Sequence, residues 1–174
     1  AAATTLASRL VQQFGEPLAG MPEGLDRQFP SPARVADAPL EGIGLPRTRA
    51  ATLRALAIAC RDGQLDFSSG QGLEDFVQRC VALPGIGPWT AQYIALRALG
   101  HPDAFPAEDL VLQKMLPNDG TRITAKALRT HAEAWRPWRG YAVFHLWREA
   151  AASTPVRTAI PARPRARTLR SPSP

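Results

Sequence analysis

Apolar residues recur at three- and four-residue intervals along most of the chain, and no window alternates polar with β-branched residues. Leu6, Leu10, Val11 and Phe14 predict a helix over residues 1–14, with Gly15 as its stop. A Pro-rich connection over 17–32 leads to a short helix near 33–37 and a longer one over 47–60, ending toward Gly63. Further helices are predicted over 73–83, 89–99, 109–116, 124–135 and 138–151. The predicted fold class is therefore all-α. The first helix starts without a Ser, Asp or Asn cap, which carries the expectation that the chain is cut from something longer.

One internal echo stands out. GIGLPRTRAATLRALA from Gly42 and GIGPWTAQYIALRALG from Gly85 both place a Gly-x-Gly turn before a helical stretch. The pair is compatible with a shared helix–turn–helix unit and with chance similarity between Ala- and Leu-rich helices.

Composition changes this picture little, and charge does so only once it is located. With 174 residues and 45% hydrophobic content, the chain can bury one sizeable core. Apolar runs are interrupted well before the roughly 18 residues a membrane span needs, so no membrane partner and a cytoplasmic, nucleoid-associated location are expected. Cys60 and Cys80 sit in apolar helical patterns and read as buried thiols; two cysteines cannot hold a four-cysteine iron–sulfur cluster. The net charge of +6 comes largely from residues 152–174, which carry Arg157, Arg163, Arg165, Arg167 and Arg170 and no acid. This Pro/Arg-rich tail reads as disordered, and residues 1–151 as one nearly neutral folded region. A claim of nucleic-acid binding needs motifs, not net charge.

The segment LPGIGPWTAQY supplies the first motif. Pro84 helps end one helix, while Gly85 and Gly87 permit a tight turn and leave amides unobstructed at the next helix start. Such amides, with the positive end of the helix dipole, can bind phosphate without base specificity. A tight helix–helix connection explains the same residues. Trp89 and Tyr93, four apart, share one helix face, as core aromatics or as a stacking platform. Asp109 precedes the apolar run Leu110, Val111, Leu112 and is in position to cap a helix.

The segment from Leu83 onward resembles the signature of the helix-hairpin-helix DNA glycosylases, a hairpin and a Gly/Pro-rich loop followed by an aspartate, here Asp109. Together, LPGIGPWTAQYIALRALG, FPAEDLVLQK and WRPWRGYAVFHLW are most similar to the alkylation-repair branch, the DNA-3-methyladenine glycosylase II family, with the resemblance covering residues 1 to about 150. It implies the helical domain of that superfamily, with the hairpin at 81–99 and the catalytic loop at 101–110. It also implies a monomer acting on double-stranded DNA bearing alkylated bases.

The implied chemistry is hydrolysis of the N-glycosidic bond of alkylated purines such as 3-methyladenine and 7-methylguanine, after the base is flipped out of the stack. By that resemblance Asp109, rather than Glu108, is the catalytic carboxylate that stabilises the oxocarbenium ion. Trp89, Tyr93, Leu110 and Trp147 take the pocket positions, and Gly85, Gly87 and Thr90 contact DNA phosphate. No cofactor is required, but a monovalent cation (Na+ or K+) is implied at the backbone carbonyls of Val81, Leu83 and Ile86. Strand-cleaving relatives carry a lysine nucleophile where this chain has Trp89, so a monofunctional enzyme using water is implied. Leu110 stands where relatives can carry a tyrosine, and Pro88 where the hairpin is often basic. Arg139 reads as an ion pair or phosphate contact, Trp135 and Trp138 as packing residues, and His145 as a hydrogen-bonded core residue. Relatives also have an N-terminal mixed α/β domain and a helical segment bearing a wedge residue. The alternatives are a non-catalytic DNA-binding module, a truncated inactive fragment, or an all-α interaction domain.

Overall fold

The computed structural model describes residues 2–22, 24–68, 70–118 and 121–153. Eight α-helices account for most of them: α1 (Ala2–Phe14), α2 (Pro32–Asp37), α3 (Arg47–Arg61), α4 (Leu73–Val81), α5 (Pro88–Arg97), α6 (Leu110–Met115), α7 (Ala125–Ala132) and α8 (Arg139–Ser153). The predicted helices all form, with ends shifted by a few residues. Two single-turn 3₁₀ segments, Leu40–Ile43 and Glu133–Trp135, precede α3 and α8. A two-residue antiparallel ribbon pairs Pro117–Asn118 (β1) with Thr121–Arg122 (β2). The basic tail from residue 154 lies outside the described residues.

The helices pack around two apolar clusters that α3 joins. Leu10, Val35, Leu40 and Ile43 fill the first, together with Ala50 and Ala57 of α3. The larger cluster takes Ala59 from the same helix and adds Phe76, Cys80, Ile86, Ala91, Leu112, Leu128 and Val143. Small residues on α3 let neighbours approach from both sides. In α4 the buried positions Leu73, Phe76, Val77 and Cys80 follow helical spacing, and Glu74 and Asp75 in its first turn complement the helix dipole. Burial pushes the Cys80 thiol up to about 11 and also raises Cys60, so both are inert as thiolates near neutral pH.

The echo in sequence is not an echo in structure. Positive φ falls on Gly44 (88°) in the first copy and on Gly85 (81°) in the second. In the alignment of the two copies Gly44 matches Gly87, whose φ is −90°. The turns are therefore different conformations, one leaving a 3₁₀ segment and the other leaving α4.

Candidate active site

The hairpin between α4 and α5 gives its two glycines different tasks. The Ile86 amide donates to the Leu83 carbonyl (3.2 Å), and the Ile86 side chain is buried in the larger core, which fixes the turn. A Cβ on Gly85 would lie 2.1 Å from Thr52 Oγ1 of α3, and its φ is already left-handed. Only glycine lets this turn close against α3. Gly87 instead faces open space: nothing lies within 4 Å of a Cβ placed there. It is the N-cap of α5, its carbonyl accepts from Ala91 N (3.0 Å), and no side chain caps the amides that follow Pro88. The amides of Trp89 and half-buried Thr90 thus begin a helix at an open surface.

Asp109 lies 20 residues beyond Trp89 in the chain and within hydrogen-bond distance of it in the fold. It caps α6, with Oδ1 accepting from Val111 N and Leu112 N, both at 3.0 Å. The same oxygen accepts from Trp147 Nε1 (3.2 Å), while Oδ2 accepts from Trp89 Nε1 (3.1 Å). Every one of these partners is a donor, so the ionised, acceptor-only carboxylate satisfies all of them. Capping and any chemical role therefore reside in one side chain. Three donors crowd Oδ1; Oδ2 has one and keeps more acceptor capacity.

The aromatic residues named from the sequence gather around this carboxylate. Trp89 and Tyr93 stack at 5.2 Å with planes 16° apart, and Tyr93 meets Trp147 at 6.0 Å. Trp89 and Tyr93 remain more than a third exposed, which separates them from core aromatics. Trp89, Glu108, Asp109, Leu110 and Val111 line an open hollow of about 340 Å³. Leu110 and Val111 are exposed at its mouth. Val81 and Leu83 lie on the α4 side of the hairpin turn, with Ile86 across it.

Other residues behave differently from the sequence reading. Glu108, the acid beside Asp109, is held in an ion pair with Arg129 of α7. His145 is exposed rather than a core residue, because α8 buries Arg139, Gly140 and Val143 and half-buries Leu146 and Trp147, and position 145 faces away from Val143. Trp138 is also exposed, lying just before α8 with its ring edge-on to Tyr141. Arg139 forms the ion pair: its Nε and Nη2 donate to Asp103 Oδ1 and Oδ2, each at 2.7 Å.

Several residues that hold the loop were not anticipated. Gln92 Oε1 accepts from Phe105 N (2.9 Å), and buried Gln113 Nε2 donates to the Ala107 carbonyl (2.8 Å). Asp103 also accepts from Arg136 Nη1 (2.6 Å). The available signal was polar residues inside apolar surroundings: Gln92 among helical alanines, and Asp103 just before Ala104-Phe105-Pro106-Ala107, all four buried.

No protein-family model matches the chain. A probable bifunctional transcriptional activator/DNA repair enzyme AlkA of Mycobacterium tuberculosis is 40% identical over 146 residues, spanning 84% of this chain and 29% of that protein. The DNA-3-methyladenine glycosylase 2 of Escherichia coli is 37% identical over 150 residues, spanning 84% of this chain and 51% of its own. A solved 3-methyladenine DNA-glycosylase from Archaeoglobus fulgidus superposes with a TM-score of 0.71 at 26% identity, covering 86% of this chain and 52% of that one. The chain thus spans about half, or less, of the length of these relatives.

Proposed function

This chain belongs to the helix-hairpin-helix DNA glycosylases, and from that premise we propose that it hydrolyses the N-glycosidic bond of alkylated purines in double-stranded DNA. The observation that carries the reading is Asp109 held between the indoles of Trp89 and Trp147 at the edge of an open hollow. A flipped base, such as 3-methyladenine or 7-methylguanine, stacks against the exposed faces of Trp89 and Tyr93, with Leu110 at the mouth. Alkylation at a ring nitrogen makes the base cationic, and electron-rich ring faces favour a cation by about 0.5–2 kcal/mol.

Bond breaking moves the glycosidic electron pair onto that cationic base, which leaves neutral, while positive charge develops on the sugar. Asp109 stabilises this charge, and its less encumbered Oδ2 is the oxygen available to the sugar and the attacking water. Water adds at the sugar carbon and gives up its proton to Asp109 Oδ2, which passes it to solvent. Trp89 offers no amine, so no Schiff base forms and the strand stays intact. Outside the hollow, the backbone amides of Gly85, Gly87 and Thr90, with that of Trp89, hold DNA phosphate at the N-terminus of α5.

The hairpin also fits a monovalent cation. No backbone N–H is bonded to the carbonyls of Val81 or Ile86 among the described residues, and Leu83 takes only that of Ile86. Oxygen donors of this kind suit a hard cation, which would add positive charge beside the phosphate-binding amides. The chemistry at Asp109 needs no cofactor.

The test is to incubate the chain with methylated duplex and separate the released bases by chromatography. Free 3-methyladenine or 7-methylguanine is expected, with strand breaks only after alkali and no adduct trapped by borohydride. Duplex binding without base release would sink the proposal and favour a DNA-binding module.

A further inference from the structure

The loop that carries Asp109 and the helix that carries Trp147 are joined at two places. One is the Trp147–Asp109 hydrogen bond. The other lies six residues back in the loop and eight residues back in the helix, where Asp103 meets Arg139. Both residues are buried, at 6% and 7% exposure, and both oxygens of Asp103 are engaged by the guanidinium in a fork. The Arg139 backbone amide adds a longer contact to the same carboxylate (3.4 Å).

This second junction is tightly determined. Arg136 Nη1 donates to Asp103 Oδ2, and Glu133 accepts from both Arg136 Nε (2.8 Å) and Arg139 Nη1 (3.2 Å). Next to Arg139, the Gly140 amide donates to the Pro102 carbonyl (2.7 Å), and a Cβ on Gly140 would stand 2.7 Å from that oxygen. The start of α8 therefore sits against the loop backbone with no room for a side chain. Two turns of helix, about 12 Å, then carry this registration to Trp147. Burying an ion pair is a poor source of stability, but a bidentate fork fixes distance and orientation in a way apolar packing does not.

We infer that Asp103 and Arg139 are positioning residues, whose forked ion pair sets α8 against the 100–109 loop so that the Trp147 indole meets Asp109 Oδ1. The inference rests on the reading of Asp109 as the catalytic carboxylate. Neither residue touches the hollow, so the pair acts on the reaction only through this registration.

The test combines rate, affinity and a spectroscopic reading. The chain has four tryptophans, so labelling their indole nitrogens gives four resolvable N–H resonances. In Asp103→Asn the resonances of Trp147 and Trp89 are expected to move. Single-turnover base release should fall by about 100-fold, while duplex affinity stays within about threefold. The doubly neutral Asp103→Asn/Arg139→Gln variant removes the unpaired buried arginine and should regain stability while remaining slow. Arg136→Gln, which removes the exposed arm, should shift the same resonances less.

Folded variants with native resonances and native rate overturn the inference. So does a rate restored along with stability in the double variant, because that is the signature of a purely structural pair. If Asp103→Asn does not fold, the double variant and Arg136→Gln decide by the same criteria. Should the unaltered chain release no base, the catalytic reading fails, whereas the indole resonances still tell whether Asp103 controls the Trp147–Asp109 contact.

Discussion

Replacing Asp109 by Asn separates its capping role from its charge, because the two oxygens have unequal surroundings. Oδ1 accepts three N–H groups and Oδ2 one. The amide therefore settles with its oxygen toward Val111, Leu112 and Trp147, and its NH2 toward Trp89. The cap of α6 survives, since Asn caps about as well as Asp. The bond from Trp89 becomes a donor facing a donor, and the remaining three weaken as the acceptor loses its charge. Together these losses amount to about 2 kcal/mol, or roughly 4–8 °C in melting temperature for a domain of this size. Catalysis loses more: removing the group that faces developing charge costs at least about 3–4 kcal/mol, a 10²–10³-fold fall in single-turnover release. Duplex binding should persist or tighten slightly, because a negative charge has been taken away from a polyanion. Release measured with excess protein, binding by fluorescence anisotropy and melting by calorimetry report the three quantities separately. An Asp109→Asn protein that releases base at the native rate would refute the reasoning, whatever its stability.

The hairpin glycines should differ sharply in stability measurements. Gly85→Ala meets both a left-handed φ and Thr52, and should lose about 2–4 kcal/mol in chemical denaturation; Gly87→Ala has open space and should change little. Equal losses would contradict the assignment of the first glycine to packing and the second to the open surface. Glu108→Gln breaks a largely exposed pair with Arg129, worth about 0.2–1 kcal/mol, and should slow base release far less than Asp109→Asn does. A comparable slowing would transfer the catalytic role to the neighbouring acid. Burial alone would raise the Asp103 carboxyl, but Arg139 and Arg136 hold it below the ordinary carboxylate range. Its contribution to stability is thus complete above the unfolded value of about 3.9 and is lost as pH falls from there through the lower folded value. Urea midpoints followed from pH 5 downward should decline more steeply for the native chain than for Asp103→Asn, and parallel curves would show that Asp103 is not the titrating group.

The helices were legible wherever one face repeats for two turns or more. Leu73, Phe76, Val77 and Cys80 announce α4, and the apolar run after Asp109 announces α6 and its cap. What escaped was too short for a period. The 3₁₀ segment Leu40–Ile43 has four residues, and the ribbon at Pro117–Asn118 and Thr121–Arg122 has two in each strand. His145 was misassigned because its neighbours are apolar. Its exposure follows from position, 200° around the helix from Val143, which only the placement of α8 in the fold makes decisive.

The site divides in the same way. Trp89 and Tyr93 are four apart, so their shared face was visible; whether that face was core or surface was not, and their exposure settles it. Trp147 lies 38 residues from Asp109 and Arg139 lies 36 from Asp103, separations at which no local rule links two positions. The first pair was reachable through resemblance to a family motif, the second was not. Trp89 shows why the resemblance is chemically informative. Its ring stacks on Tyr93 while its N–H holds Asp109 Oδ2. A lysine at this position would bring an amine beside the carboxylate and remove the stacking face, exchanging the proposed base-stacking surface for a nucleophile. One residue therefore links the water-based mechanism proposed here to a preference for bases that bind through their faces.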